Sequence, residues 1–356
     1  MSCNKPNRIF ILAELNPDTG NNLTRFCGHQ IEQLWYTDPE DRKTFIYSSE
    51  KVDTRIFYPT YSSYYYDVPC GQCSACRSDY SYSWMVRLML ERYYHSPTEC
   101  WFITLTYDDE HLPTCLPYAN EETGENIETQ WHSLERDAIP RFNKRLKAKL
   151  SYDKFKSDFK FYACGEYGIR GTRRPHYHAI YFGLPINDLK YYKQVGKVTL
   201  YTSDYINKVW KKGFCVIEPM TAVNAQYTAG YIAKKMKGKD GTEFYAKLQI
   251  EPPFSLCSKG LGKQYLLDNT DKILRHDCVI FSDAEKGAVK APIPRYFKKL
   301  LAREYPTEML YRNLFDEQAF YEYIEGLKEQ IPNYYSYLDS VEESAIKKSH
   351  QRRCQL

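Results

Sequence analysis

The sequence predicts an α+β fold: an antiparallel sheet with helices on one face. Three observations carry that reading. Segments of alternating, Thr- and aromatic-rich residues, WFITLTY (101–107) and PHYHAIYFG (175–183), read as strands. KFYACGEYG (160–168) is joined to the latter by a short Gly- and Arg-rich turn, the arrangement of an antiparallel hairpin. TAVNAQYTAGYIAKKM (221–236) has apolar residues at helical spacing.

Taken in order, residues 1–66 read as irregular and rich in Tyr and Asn. PCGQCSACR (69–77) follows, then an apolar-periodic helix at 81–95. After the 101–107 strand, DDEHLP breaks the chain, and 113–130 reads as a loop with Pro, Asn and Gly. A helix is expected over about 134–150, carrying Arg141, Lys144, Arg145, Lys147 and Lys149 with no acid among them. IRGTRR (169–174) links the two hairpin strands, and FCVIE (214–218) reads as a further strand. Beyond about 250 the pattern is mixed, then helical and Tyr-rich.

Composition narrows the function classes. The chain has 356 residues, 43% hydrophobic and 26% charged, which suits a globular core and not general disorder. IFILA (9–13) is interrupted by Glu14 and is too short for a secretory signal, and no apolar run reaches membrane-spanning length, so a protein that stays where it is made is expected. The net charge of +4 is unevenly spread: residues 304–343 hold ten acids and two bases, so the rest of the chain carries +12. A basic body of that kind predicts a phosphate-bearing partner. The acidic stretch is expected to form a helical region that shields the basic surface or recruits another protein. The 12 cysteines read as thiols or metal ligands, not as a disulfide framework.

Four constellations carry chemistry. On a strand, His176 and His178 point the same way and can converge on one divalent metal, although two ordinary strand histidines give the same pattern. Glu166, on the neighbouring strand, can add an oxygen ligand; the bland alternative is an exposed strand-end carboxylate. Two histidines and one carboxylate leave coordination positions open for substrate. On the 221–236 helix, Tyr227, Tyr231 and Lys234 share one side, while Ala225, Ala229, Ile232, Ala233 and Met236 form the opposite, core-seeking side. Surface tyrosines are the competing explanation in a chain with 34 of them. Cys70, Cys73 and Cys76 form C-x₂-C-x₂-C, three ligands of a structural Zn²⁺ site or else a metal-free buried cluster. Cys3 is the first choice for the fourth ligand and Cys27 the second.

A tyrosine hydroxyl is a weak nucleophile at neutral pH. Beside a metal that polarises a phosphodiester, with lysines to balance negative charge, it can attack phosphorus. Candidate phosphate contacts are Arg145 and its basic helix, Arg170, Arg173, Arg174, Lys235 and the Lys234–Lys239 run, though single charge runs are often only solvated faces. SKGLGKQY (258–265) lacks the spacing of a phosphate loop, so no ATPase or helicase activity is expected.

The ordered set WFITLTYDDEHLP, CGEYG…RPHYHAIYFG and YTAGYIAKK resembles the three motifs of rolling-circle replication initiators of the HUH endonuclease superfamily, two-tyrosine branch. The likeness is strongest to the initiators of Microviridae, gokushovirus type, which share an early Cys and a PCGxCxxCR element, and it spans roughly 1–240. It implies a five-stranded HUH-type sheet, with His176, His178 and Glu166 holding Mg²⁺ or Mn²⁺, Tyr227 and Tyr231 as nucleophiles and Lys234 as the motif lysine. It also implies an early Cys in the zinc element, hence Cys3. Tyr177 departs from the aliphatic residue usual between the histidines; it points to the other face, so no catalytic effect is expected.

The resemblance further implies nicking of the double-stranded replicative form at its origin, a 5′-phosphotyrosine link, a 3′-OH primer and later closure of a single-stranded circle. The partners would be origin DNA, double- and single-stranded, with a host helicase and DNA polymerase, in the host bacterial cytoplasm and without a membrane. The expected domains are 1–96 with the Cys cluster and a helix, 97–250 as the endonuclease, and 251–356 as a mainly helical region. The competing classes are a non-catalytic zinc-containing single-strand DNA-binding protein, and an HUH relaxase or transposase. Histidines first and two tyrosines after favour the initiator.

Overall fold

The computed structural model describes residues 3–17, 20, 22–29, 33–37, 44–48, 64–113, 118–119, 126–127, 132–168, 173–234, 238–283 and 287–355. The chain groups into two compact units, Met1–Asp79 with Arg312–Leu356, and Tyr80–Tyr311.

The first unit contains β1 (Asn7–Leu15), β2 (Asn22–His29), β3 (Gln33–Thr37), β4 (Thr44–Ser48) and β5 (Tyr64–Val68). β1 is the centre of an antiparallel sheet ordered β2-β1-β5, and β3 pairs with β4. The expectation of an irregular 1–66 is thereby corrected. NRIFILAEL shows no period-two alternation, and its partner β5 lies far along the chain, so neither local signal for a strand was present. Helix α1 (Ser74–Arg92) begins inside the Cys motif, earlier than the apolar periodicity suggests.

Its first turn is capped from a distance. The buried Glu342 carboxylate accepts hydrogen bonds from the Ser74 backbone N–H (2.9 Å), the Ser74 hydroxyl (2.6 Å) and Asn4 Nδ2 (3.1 Å). Burial alone would raise this carboxyl; those bonds outweigh it and hold it below the usual range. One of the ten acids of the C-terminal stretch is thus structural.

The second unit continues with β6 (Cys100–Thr106), the short pair β7 (Tyr118–Ala119) and β8 (Asn126–Ile127), α2 (Ala138–Tyr152), β9 (Lys160–Tyr167), β10 (Pro175–Phe182), β11 (Leu189–Val195) and β12 (Val198–Ser203). Then come α3 (Asp204–Trp210), β13 (Cys215–Pro219), α4 (Ala222–Lys234), α5 (Gly238–Lys247), β14 (Phe254–Cys257), α6 (Lys263–His276), β15 (Cys278–Asp283), β16 (Gly287–Pro292) and α7 (Arg295–Glu304). The chain closes with α8 (Pro306–Gln330) and α9 (Tyr334–Gln355). No helix among the described residues is long and apolar enough to cross a membrane.

The α+β class holds. The main sheet is antiparallel throughout, with seven strands ordered β11-β12-β13-β6-β10-β9-β14. That is two more than expected, and helices cover both faces, not one. The reason for the second cover lies in β10, which buries Tyr177, Ala179 and Tyr181 on one side and Ile180 and Phe182 on the other. A strand apolar on both faces needs two covers. On the Tyr177 side, α2 supplies Ile139, Phe142 and Leu146, and α3 supplies Trp210. On the His side, α1 supplies Met85 and Met89, and α4 supplies Ala225 and Ala229.

Candidate metal centre and paired tyrosines

Antiparallel pairing builds the site from three adjacent strands. His176 lies opposite Glu166 of β9, and His178 lies opposite Cys164 of β9 and Thr104 of β6. Directly paired residues share a face. Glu166, His176 and His178 therefore gather on one side, their ligand atoms all within 4.8 Å of one another. His176 Nε2 lies 2.7 Å and His178 Nε2 3.0 Å from Glu166 Oε1. Gly165, on the opposite face, makes this packing possible, since a Cβ there would meet Leu134 Cδ2 at 3.0 Å and Phe254 at 3.1 Å.

The donor set fits a divalent cation, and the hydrogen bonds behind it say why. His176 Nδ1 faces the Arg174 carbonyl at 3.1 Å, and a carbonyl can only accept, so Nδ1 carries the proton. In the neutral ring Nε2 is then a lone pair aimed at a carboxylate oxygen. Two acceptors 2.7 Å apart require a proton or a cation between them. His178 Nδ1 is held by the Thr104 hydroxyl at 2.9 Å, leaving its Nε2 turned toward Glu166. Burial alone would raise the Glu166 carboxyl, but hydrogen bonds from His176 and His178 outweigh it and hold the group below the ordinary range. The charge a cation needs is therefore in place.

The tyrosines stand over this cluster. α4 packs on β9 and β10. The Tyr231 ring is stacked on His178 at 5.2 Å, Tyr227 meets His178 edge-on at 5.4 Å, and the two tyrosine rings are 4.5 Å apart. Their exposures differ sharply: Tyr227 is 47% exposed and Tyr231 3%. The helix is therefore not split into a core side and a solvent side as the periodicity suggested. Its Ala225/Ala229 side packs in the core with Met85 and Met89 of α1, while its tyrosine side faces the sheet. Burial raises the Tyr227 hydroxyl above its ordinary value, and the neighbouring Glu166, Cys164 and Glu218 raise it further. Lys234 closes α4, and its side chain, like Lys235 and Arg170, lies outside the described residues.

Tyr177 points away from the site, as its alternation requires: it is fully buried on the opposite face, where its hydroxyl bonds Tyr107 and the Glu135 backbone. Arg145 is also on that face. Its guanidinium donates to the carbonyls of Val209 and Trp210, closing the end of α3. Arg174 stands at the rim of the site, bonded to Asp109 and to the Tyr107 carbonyl, and Arg173 is exposed in a left-handed conformation (φ 49°). The glycine-rich 258–262 segment is held in place by α1, with Arg87 donating to the Leu261 carbonyl and the buried Glu91 accepting from the Gly262 N–H.

Sequence reasoning missed Thr104 and Phe102. The alternation of WFITLTY puts them on one face, but only the β6–β10 pairing decides that it is the histidine face. Thr104→Val is expected to lower Mn²⁺ affinity about 10- to 100-fold with the fold retained, since a ligand-orienting partner is removed; titration calorimetry with Mn²⁺ measures it.

Cys3, Cys70, Cys73 and Cys76 form a second group, their sulfurs within 4.8 Å of one another and Cys3 Sγ 3.8 Å from Cys73 Sγ. Tetrahedral zinc with Zn–S bonds of ~2.3 Å places sulfurs ~3.8 Å apart. Backbone N–H groups of Asn4 and Cys73 point at Cys73 and Cys70 sulfurs at 3.4 and 3.2 Å, the support thiolates use. Burial pushes the Cys76 thiol up to about 12. Cys3 fills the fourth position; the Cys27 side chain lies outside the described residues.

Comparison with known proteins gives a consistent result. Residues 100–236 match the model of a family of phage replication-associated proteins, the ORF2 type. Over 251 residues the chain is 36% identical to the replication-associated protein ORF2 of Spiroplasma virus 4, spanning 68% of this chain and 69% of that one. It is 28% identical over 273 residues to the replication-associated protein VP4 of Bdellovibrio phage phiMH2K, spanning 74% and 75%. With the replication-associated protein ORF4 of Chlamydia phage 1 the identity is 28% over 256 residues, 69% and 56% of the two chains. No solved structure matches. The matched segment contains β6, β9, β10 and α4, the elements that assemble the Glu-His-His cluster and the tyrosines. The chain belongs to the family of phage replication-associated proteins, and it is a replication initiator of the Microviridae kind.

Proposed function

We propose that the protein is a metal-dependent HUH nickase and strand transferase that starts rolling-circle replication of a phage genome. The observation that carries the reading is the placement of two tyrosine rings within 5.2 and 5.4 Å of His178 in a Glu166–His176–His178 cluster. The segment 97–250 is read as the catalytic domain, preceded by the Cys element (1–96) and followed by the C-terminal region (251–356).

A bound Mg²⁺ or Mn²⁺ would polarise the scissile phosphate and offset the charge that develops there. Glu166, His176 and His178 hold it, and Thr104 and the Arg174 carbonyl orient the rings. A tyrosine hydroxyl attacks phosphorus, a Tyr Oη–P bond forms, the P–O3′ bond breaks, and the proton lost by the phenol ends on the departing 3′ oxygen. One phosphodiester is exchanged for another, so the later attack of a 3′-OH on the phosphotyrosine needs no ATP. The half-exposed Tyr227 is read as the first nucleophile, and Tyr231, buried until DNA moves in, as the second. Lys234 is read as the motif lysine that balances phosphate charge, with Arg173, Arg174 and Lys235 as backbone contacts. The free 3′-OH primes a host polymerase, and a host helicase opens the duplex, in the bacterial cytoplasm. Arg145 keeps a place among DNA contacts only if its bonds to α3 are given up.

The decisive experiment mixes the full chain with supercoiled replicative-form DNA and Mn²⁺. Nicked circles carrying covalently attached protein are expected, and EDTA abolishes them. Binding without covalent attachment would leave the non-catalytic single-strand-binding reading in its place.

The four cysteines are read as a structural zinc site. One equivalent of zinc is expected in the purified protein. Cys73→Ser is expected to lose it and to lower stability by several kcal/mol, seen as a fall in melting temperature.

A further inference from the structure

We propose that the β11–β12 hairpin is a duplex-DNA contact, a twisted β-ribbon that grips the double helix beside the cleavage face. The inference rests on the reading above only in taking DNA as the partner.

The hairpin contributes little to the core. Every residue from Lys190 to Val198 is exposed, including Tyr191 at 67%, Val195 at 53%, Tyr192 at 44% and Val198 at 42%. The stretch 189–203, LKYYKQVGKVTLYTS, has three lysines and no acid. Lys190 is paired with Asp204, whereas Lys193 and Lys197 form no ion pair with another described residue. The ribbon is stiff: Val195 pairs with Val198 across a two-residue turn at Gly196–Lys197, where Gly196 takes a φ of 56°. A register shift between Tyr191 and Lys193 adds local twist. Tyr192 is anchored on Phe214 at 5.2 Å and carries Lys193 Nζ 5.3 Å from its ring, so one aromatic fixes the ribbon while Tyr191 projects.

Lysines on an outermost strand also deter strand-to-strand association. That explanation covers the lysines, but not two exposed tyrosines and two exposed valines on the same ribbon, which would favour association. A partner that takes cations and apolar side chains together explains both. The major groove offers phosphates at its rims and base edges and thymine methyls on its floor, and it admits a two-stranded ribbon. β11 is four strand spacings from β10, roughly 19 Å at ~4.8 Å each. The ribbon would then meet the duplex about half a helical turn from the scissile phosphate, where the DNA is still paired.

The test uses the full chain, a short duplex of arbitrary sequence and its single strand, with fluorescence anisotropy from about 50 to 200 mM salt. Lys193→Ala with Lys197→Ala is expected to weaken duplex binding about tenfold or more and to make the slope of log affinity against log salt shallower by roughly two. Single-strand affinity should change less than about twofold and the melting temperature should not move, since both side chains are exposed. Tyr191→Ser is expected to weaken duplex binding without changing the slope. Unchanged duplex affinity, an equal loss on single strands, or a change of oligomeric state in place of a change in DNA affinity would overturn the proposal. The readout is binding alone, so a failure of nicking by the wild type leaves this result interpretable.

Discussion

Changing Tyr227 and Tyr231 together to phenylalanine is expected to remove covalent attachment and to slow nicking of supercoiled DNA by on the order of 10⁴-fold or more. The double variant deletes two hydroxyls and keeps two rings. The Tyr231 ring that stacks on His178, and the 4.5 Å contact between the tyrosines, survive as Phe contacts, so the helix stays docked. The single variants should separate the two events. Tyr227→Phe removes the accessible hydroxyl and is expected to suppress the first cut. Tyr231→Phe is expected to leave the first cut largely intact and to block circle closure, so that linear single strands accumulate with protein at the 5′ end. Gel analysis after protease digestion distinguishes these products. Full nicking by the double variant would remove the tyrosines from the chemistry.

Glu166→Gln is expected to cost roughly 10³-fold in nicking, about 4 kcal/mol of transition-state stabilisation. The substitution keeps size and hydrogen-bonding capacity but deletes the charge that lies 2.7 and 3.0 Å from the two imidazoles. Raising Mn²⁺ should recover part of the rate, because the loss is one of metal affinity. His178→Ala is a poorer choice for the same question, since it also removes the ring on which Tyr231 rests and opens space beneath α4. If Glu166→Gln nicks like the wild type and retains its Mn²⁺ affinity, the cluster is not the catalytic metal site.

The candidate site was legible in unusual detail because its parts obey short-range rules. A period of two puts His176 and His178 on one side of a strand, and a short connection makes the partner strand antiparallel, so Glu166 arrives beside them. The spacing of Tyr227 and Tyr231 on a helix is equally local. The hairpin at 189–203 and the strands of the first unit were not legible. β11 is exposed on both faces from Lys190 onward, so no alternation marks it, and β1 finds its neighbour β5 only after the intervening chain has folded back. The two-sided cover of the main sheet was missed for a related reason: Tyr177, Ala179 and Tyr181 are apolar enough to demand helices, but a pattern of residues does not say from which segment those helices come.

Residue order by itself determined which groups are available here: two imidazoles and a carboxylate at ligand spacing, two phenols one turn apart, and a thiol triplet. The tertiary structure alone decided which side of α4 meets the sheet, that Cys3 completes the thiol group, that Thr104 orients His178, and that Arg145 is engaged by backbone carbonyls on the far face. The division follows from range. Alternation and helical pitch act over a few residues and are written in the chain, whereas the pairing of distant strands and the choice of packing partner depend on what else must be buried at the same time.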